Sequence, residues 1–110
     1  MINEADFSTL GLSEEMLAAV HAKGFETPTS IQRLTIPRLL SGENDIIAQS
    51  QTGTGKTAAF GLPILQQIEH STEGVQSIIL VPTRELAVQA AEELLSYNRE
   101  RRLSITAIYG

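Results

Sequence analysis

At 110 residues, with 42% apolar and 19% charged side chains, the chain has the size of one small domain and a globular rather than a disordered composition. It has no cysteine, which excludes a disulfide framework and a thiolate metal site and fits a reducing cytosol. The net charge of −5 argues against a surface that grips nucleic acid all over, though four of the eight basic residues (Arg84, Arg99, Arg101, Arg102) fall in the last 27 positions. The opening residues, with Glu4 and Asp6, lack the basic region and apolar run of a secretory signal. No apolar stretch approaches the roughly 20 residues that span a bilayer. A cytoplasmic protein without a membrane partner is expected.

The apolar period marks the elements in chain order. Ser13 is placed to cap a helix with Glu14 and Glu15 in its first turn, an apolar stripe of Met16, Leu17 and Val20, and a stop at Gly24. A turn through Thr27 and Pro28 leads to a second helix starting near Thr29 or Ser30. Ile31, Leu34 and Leu39 are expected to face inward, Pro37 to kink the helix and Gly42 to end it. The apolar run 45–49 reads as a buried strand. A Gly/Thr-rich loop and a helix from about Lys56 to Glu69 follow, with Phe60, Ile64, Leu65 and Ile68 as its core face and a bend at Pro63. A second buried strand is expected over 77–81. A helix from about Arg84 to Tyr97 carries Leu86, Val88, Ala90, Leu94 and Leu95, and a third strand runs over 103–109. The expected fold class is therefore α/β: a P-loop parallel sheet of three strands with flanking helices, preceded by two leading helices.

The loop itself is SQTGTGKT, Ser50 to Thr57, which fits GxxxxGK[ST] with Ser50 in place of the first glycine. Gly53 and Gly55 permit backbone turns closed to larger residues, so the amides of Gln51, Thr52, Gly53, Thr54 and Gly55 can converge on one phosphate in front of a helix N-terminus. Lys56 places a point charge on the β- and γ-phosphates, and Thr57 offers a hydroxyl to Mg2+. A strand before the loop and a helix after it distinguish this from a chance surface turn.

Upstream, GFETPTSIQ (Gly24 to Gln32) combines a glycine stop, a proline turn and a helix start. A glutamine amide has the acceptor and donors to read an adenine edge, and Phe7 is an isolated aromatic able to stack on a base. On spacing alone Gln32 reads as an exposed helix residue and Phe7 as a minor core contact. Arg84, after a strand and near a helix start, reads equally as a phosphate contact or as an ion-pair partner of Glu85 or Glu92.

GFETPTSIQ resembles the Q motif of DEAD-box RNA helicases, SQTGTGKT their motif I and PTRELA (Pro82 to Ala87) their motif Ia. Tyr109-Gly110 is similar to the start of their glycine doublet. These motifs come in the family's order and spacing, from Phe7 to Gly110. The resemblance implies an ATP-dependent RNA helicase with a RecA-like fold, in which Gln32 reads adenine, Phe7 lies against the ring and Thr29 shapes the pocket. It implies a nucleotide site of Ser50 to Thr57, with Lys56 and Thr57 in the catalytic machinery. It also implies RNA-backbone contacts by Pro82, Thr83, Arg84 and Gly110. The family's Asp-Glu-Ala-Asp box does not occur in these residues. The chain is thus expected to be about the first half of one RecA-like domain, with 1–42 a helical leader and 43–110 a β-α-β-α-β P-loop core. Alone it is expected to lack ATP hydrolysis and unwinding, and to self-associate or gain another stabilising contact through an exposed sheet edge. A stand-alone P-loop module without helicase activity is the alternative. His21 and His70 read as ordinary histidines, and Arg99, Glu100, Arg101 and Arg102 as a mixed charge run.

Overall fold

The computed structural model describes residues 6–42, 45–49, 55–68, 74–98 and 103–109. Within them the chain opens on a 3-10 turn, Phe7–Thr9, followed by helices α1 (Glu14–Ala22), α2 (Ser30–Leu40), α3 (Lys56–Gln67) and α4 (Arg84–Tyr97). Each start except that of α3 is fixed by a side-chain cap. Ser13 Oγ accepts from the Met16 amide at 3.3 Å, Thr29 Oγ1 from the Gln32 amide at 3.4 Å, and Thr83 Oγ1 from the Leu86 amide at 3.1 Å. These bonds satisfy amides that the helix cannot. Pro37 and Pro63 both lie inside their helices.

The core joins all these elements. Phe7, Leu10 and Leu12 of the leader pack with Met16, Ala19 and Val20 of α1, Ile36 of α2, Ala58, Leu62 and Leu65 of α3, and Leu94 and Tyr97 of α4. Two glutamines near the end of α3 fasten its neighbours. Gln66 Oε1 accepts from the Ser13 amide at 2.7 Å and its Nε2 donates to the Gly11 carbonyl at 3.2 Å. Gln67 Nε2 donates to the Leu39 carbonyl at 3.0 Å, capping one of the orphan carbonyls at the end of α2.

The α3 face differs from the one expected. Leu65 is buried, but Phe60, Ile64 and Ile68 are only half-buried, while Ala58, Ala59, Gly61, Leu62 and Pro63 are buried. The cause is packing against both α2 and α4. A Cβ on Gly61 would collide with the Leu94 side chain, so close approach selects small residues where a count of large apolar ones looks elsewhere. Leu34 (65% exposed) points outward against expectation, and Leu86 and Leu95 of α4 are also exposed.

Among the described residues the expected three-stranded parallel sheet is not formed. Among the described residues no strand is assigned, and 45–49, 75–81 and 103–109 are irregular. The alternation of a strand survives in their burial. Ile79, Leu103 and Ile105 rest against the helical core, whereas Ile47 (94%), Ile78 (76%), Leu80 (90%) and Ile108 (87%) stand in solvent. Parallel strands are stable when both faces are covered. Here helices cover one side only, and apolarity in a sequence records a need for cover rather than its presence. Asn98 supplies the backbone pairing that a strand would have given Leu103: its Oδ1 accepts from the Leu103 amide at 2.9 Å and its Nδ2 donates to the Leu103 carbonyl.

Candidate nucleotide site

The site is built where the start of α2 meets the start of α3. Gly55 precedes α3 in a left-handed conformation (φ 85°, ψ 27°) and offers no side-chain cap, so no side chain from that position closes off the first amides of α3. Lys56 is exposed and Thr57 half-buried in its first turn. Ser50, Gln51, Thr52, Gly53 and Thr54 lie outside the described residues, as does Gly110.

Gln32 is 3% exposed, not a surface residue. Its Oε1 accepts from the Thr29 amide at 2.9 Å and its Nε2 donates to the Gly55 carbonyl at 3.2 Å. With Thr29 Oγ1 on the Gln32 amide, the first pair closes a capping box. The second ties α2 to the last residue before α3. This contact is close enough that a Cβ on Gly55 would overlap Gln32 Nε2. One amide thus links the starts of two helices through residues 23 positions apart. It also retains unused capacity, since a glutamine oxygen has two lone pairs and its nitrogen two hydrogens.

Phe7 is 3% exposed and belongs to the core. Its ring lies nearly parallel to that of Phe25, with centroids 6.4 Å apart. Phe25 is half-buried and also meets Tyr97, its ring tilted at 58° with centroids 6.3 Å apart, so in this corner the aromatic with uncovered surface is Phe25. The sequence reading passed over it, although it sits inside GFETPTSIQ.

Pro82, Thr83 and Arg84 are exposed at the start of α4. The Arg84 guanidinium lies 5.1 Å from the centre of the Tyr109 ring, within range of a cation–π contact. His21 is exposed on α1, and His70 and the run Arg99 to Arg102 lie outside the described residues. Among the described residues no group of three or more metal-ligating side chains occurs, and no helix is long and apolar enough to cross a membrane.

A sequence-family model of DEAD/DEAH box helicases matches residues 29–110, which include Gln32, Lys56 and Arg84. The chain belongs to the DEAD/DEAH box helicase family. It is 53% identical over 104 residues to the DEAD-box ATP-dependent RNA helicase CshA of Bacillus cereus, covering 94% of this chain and 20% of that one. It is 48% identical to the ATP-dependent RNA helicase CshA of Limosilactobacillus reuteri, with 94% and 21% covered. Among solved structures it resembles a DEAD box protein from the hyperthermophile Methanococcus jannaschii at a TM-score of 0.91 and 46% identity, covering 96% of this chain and 29% of that one. It also resembles S. cerevisiae Dbp5 bound to RNA and ADP BeF3 at 0.81 and 41%, covering 86% and 25%. The chain therefore spans about a fifth of the length of these curated DEAD-box relatives, whose sequences reach 20% and 21% coverage.

Proposed function

We propose that this chain carries the adenine-nucleotide pocket of an ATP-dependent RNA helicase. Residues 1–42 would supply the adenine side and 43–110 the phosphate side. The observation that carries the reading is the double engagement of Gln32, which couples Thr29 and Gly55 through one buried amide. Its remaining lone pair and hydrogen match the amino donor and ring-nitrogen acceptor of adenine. Phe25, half-buried and packed on Phe7, would offer ring surface to the base. Ser50 to Thr57 would cradle the phosphates with backbone amides, Lys56 would add its charge, and the uncapped start of α3 favours an anion. Thr57 is the oxygen these residues offer Mg2+, which when bound neutralises charge between the β- and γ-phosphates. Pro82, Thr83, Arg84 and Gly110 would contact the RNA backbone. These residues hold no Asp-Glu-Ala-Asp sequence, so the chain alone binds ATP without appreciable turnover. A cytoplasmic location accompanies this function.

Exchange of Lys56 for alanine tests the phosphate side. Because Lys56 is exposed, the fold should persist by circular dichroism. A lost charge-assisted contact predicts ATP affinity about 10- to 100-fold weaker by calorimetry. Unchanged affinity would remove the phosphate-binding reading.

The uncovered Ile47, Ile78, Leu80 and Ile108 supply a second expectation, namely self-association. Light scattering of the concentrated chain should give a mass above the 11.9 kDa of the monomer. A monomer throughout would show that these side chains do not drive association.

A further inference from the structure

Gln66 lies in the last turn of α3, yet its side chain holds the opening of the chain. Its bonds to the Ser13 amide and the Gly11 carbonyl reach across 53 and 55 positions. Both go to backbone, one on each side of the buried Leu12. A helix can supply a partner for its own N-cap amide when glutamine or glutamate stands three residues on. In α2 that residue is Gln32, which accepts from the Thr29 amide. In α1 the same position holds Met16, whose side chain offers no such acceptor. Gln66 takes that place from the far end of another helix.

The segment it grips carries both supports of Phe25. On one side of residues 11–13 lies the 3-10 turn with Phe7, whose ring is stacked on that of Phe25. On the other side lies α1, where the Val20 carbonyl accepts from the Phe25 amide at 3.2 Å. Gln32 is tied to the start of α3 through the Gly55 carbonyl. Gln32 and Phe25 are therefore referred to the same 12-residue helix, the first at its start and the second through its last turn. Apolar packing also joins the leader to α3, but it is non-directional, whereas two hydrogen bonds from one planar amide fix a register.

We propose that Gln66 is a positioning residue for the adenine pocket, registering the Phe25 ring against α3 and so against Gln32. The inference rests on the reading of Gln32 and Phe25 as the groups that meet the base.

The test titrates the whole chain by calorimetry with ATP and with inorganic tripolyphosphate, which has the phosphates and no base. The wild type should prefer ATP, and Phe25→Leu should reduce that preference. Gln66→Met removes both hydrogen bonds at similar volume. It should weaken ATP binding about 3- to 10-fold and leave tripolyphosphate binding unchanged. Adding Gln66→Met to Phe25→Leu should cost ATP nothing further, because the amide acts through the ring. Gln66→Glu keeps an acceptor for the Ser13 amide and loses the donor to Gly11, so its ATP loss should be smaller. If the methionine variant does not fold, the comparison of the two ligands on Gln66→Glu decides. An equal loss for both ligands, no loss for either, or effects of Gln66 and Phe25 that simply add would overturn the positioning role and leave the adenine reading standing. If the wild type binds the two ligands equally, or Phe25→Leu has no effect, the reading of the base site falls and the positioning role with it.

Discussion

Exchange of Gly55 for alanine should destabilise the chain by about 2–4 kcal/mol and abolish ATP binding. Two costs combine at this position. The backbone is left-handed, with φ at 85°, which any Cβ resists. The new methyl would also overlap Gln32 Nε2, with Thr29 Cγ2 at 3.5 Å behind it. Gln32 cannot retreat without giving up the Gly55 carbonyl or the Thr29 amide, and with them the register of α2 against α3. Gly74 provides the control. It has φ of 90° but nothing within 4 Å of a Cβ, so alanine there should cost only the backbone strain, about 1 kcal/mol. Urea denaturation of both variants separates the two costs. Equal losses would mean that the contact with Gln32 carries no weight.

Tyr97 should give the largest stability loss on truncation to alanine, about 3–5 kcal/mol, on the scale of other buried aromatics. A chain of this length has a total stability of only about 5–15 kcal/mol, so much of the protein should be unfolded. The ring is 0% exposed, touches Phe25 and lies beneath the Lys23 ammonium, 5.5 Å from its centre. Its hydroxyl donates to Glu93 Oε2 at 2.8 Å. Phenylalanine keeps the packing and loses that bond, at about 1 kcal/mol. The two variants also differ in pH dependence. Burial first, then the hydrogen bond and charge of Glu93, raise the Tyr97 phenol above its ordinary range. The folded state therefore holds this proton more tightly than the unfolded state. The associated stability is complete below the unfolded value of about 10 and is lost as pH rises from there through the folded value. Thermal unfolding of the wild type should show this alkaline loss, and Tyr97→Phe should lack this component of it. Parallel curves would assign the alkaline sensitivity to other groups.

Local signals in the sequence located the helices well, because capping is a short-range matter. Ser13, Thr29 and Thr83 each bond an amide three positions on, and α4 runs from Arg84 to Tyr97 as read. Burial was less legible, since it depends on what arrives from elsewhere. Leu34 and Leu86 fit an apolar stripe yet stay exposed, while Gly61 lies buried under Leu94 because α4 comes that close. The runs around Ile47, Leu80 and Ile108 have the composition of buried strands, but composition cannot supply the second covering layer. Gln32 illustrates the same limit at the site. Its residue type suggested base recognition, but its burial and its hold on Gly55 follow from a contact 23 residues away. Phe7 and Phe25 were equally visible as aromatics, and only packing separates the core ring from the half-covered one.

The clamp on Gln32 also bears on base selection. A free glutamine amide could turn over to suit guanine, which presents an oxygen acceptor where adenine presents its amino donor. Here the Thr29 amide fixes the oxygen and the Gly55 carbonyl fixes the nitrogen, so turning over would break both bonds. Titration of the chain with ATP and with GTP, repeated on Gln32→Ala, tests this directly. ATP should bind at least about tenfold more tightly than GTP, and the preference should disappear in the variant. Equal affinity of the wild type for the two nucleotides would contradict an adenine pocket at this junction.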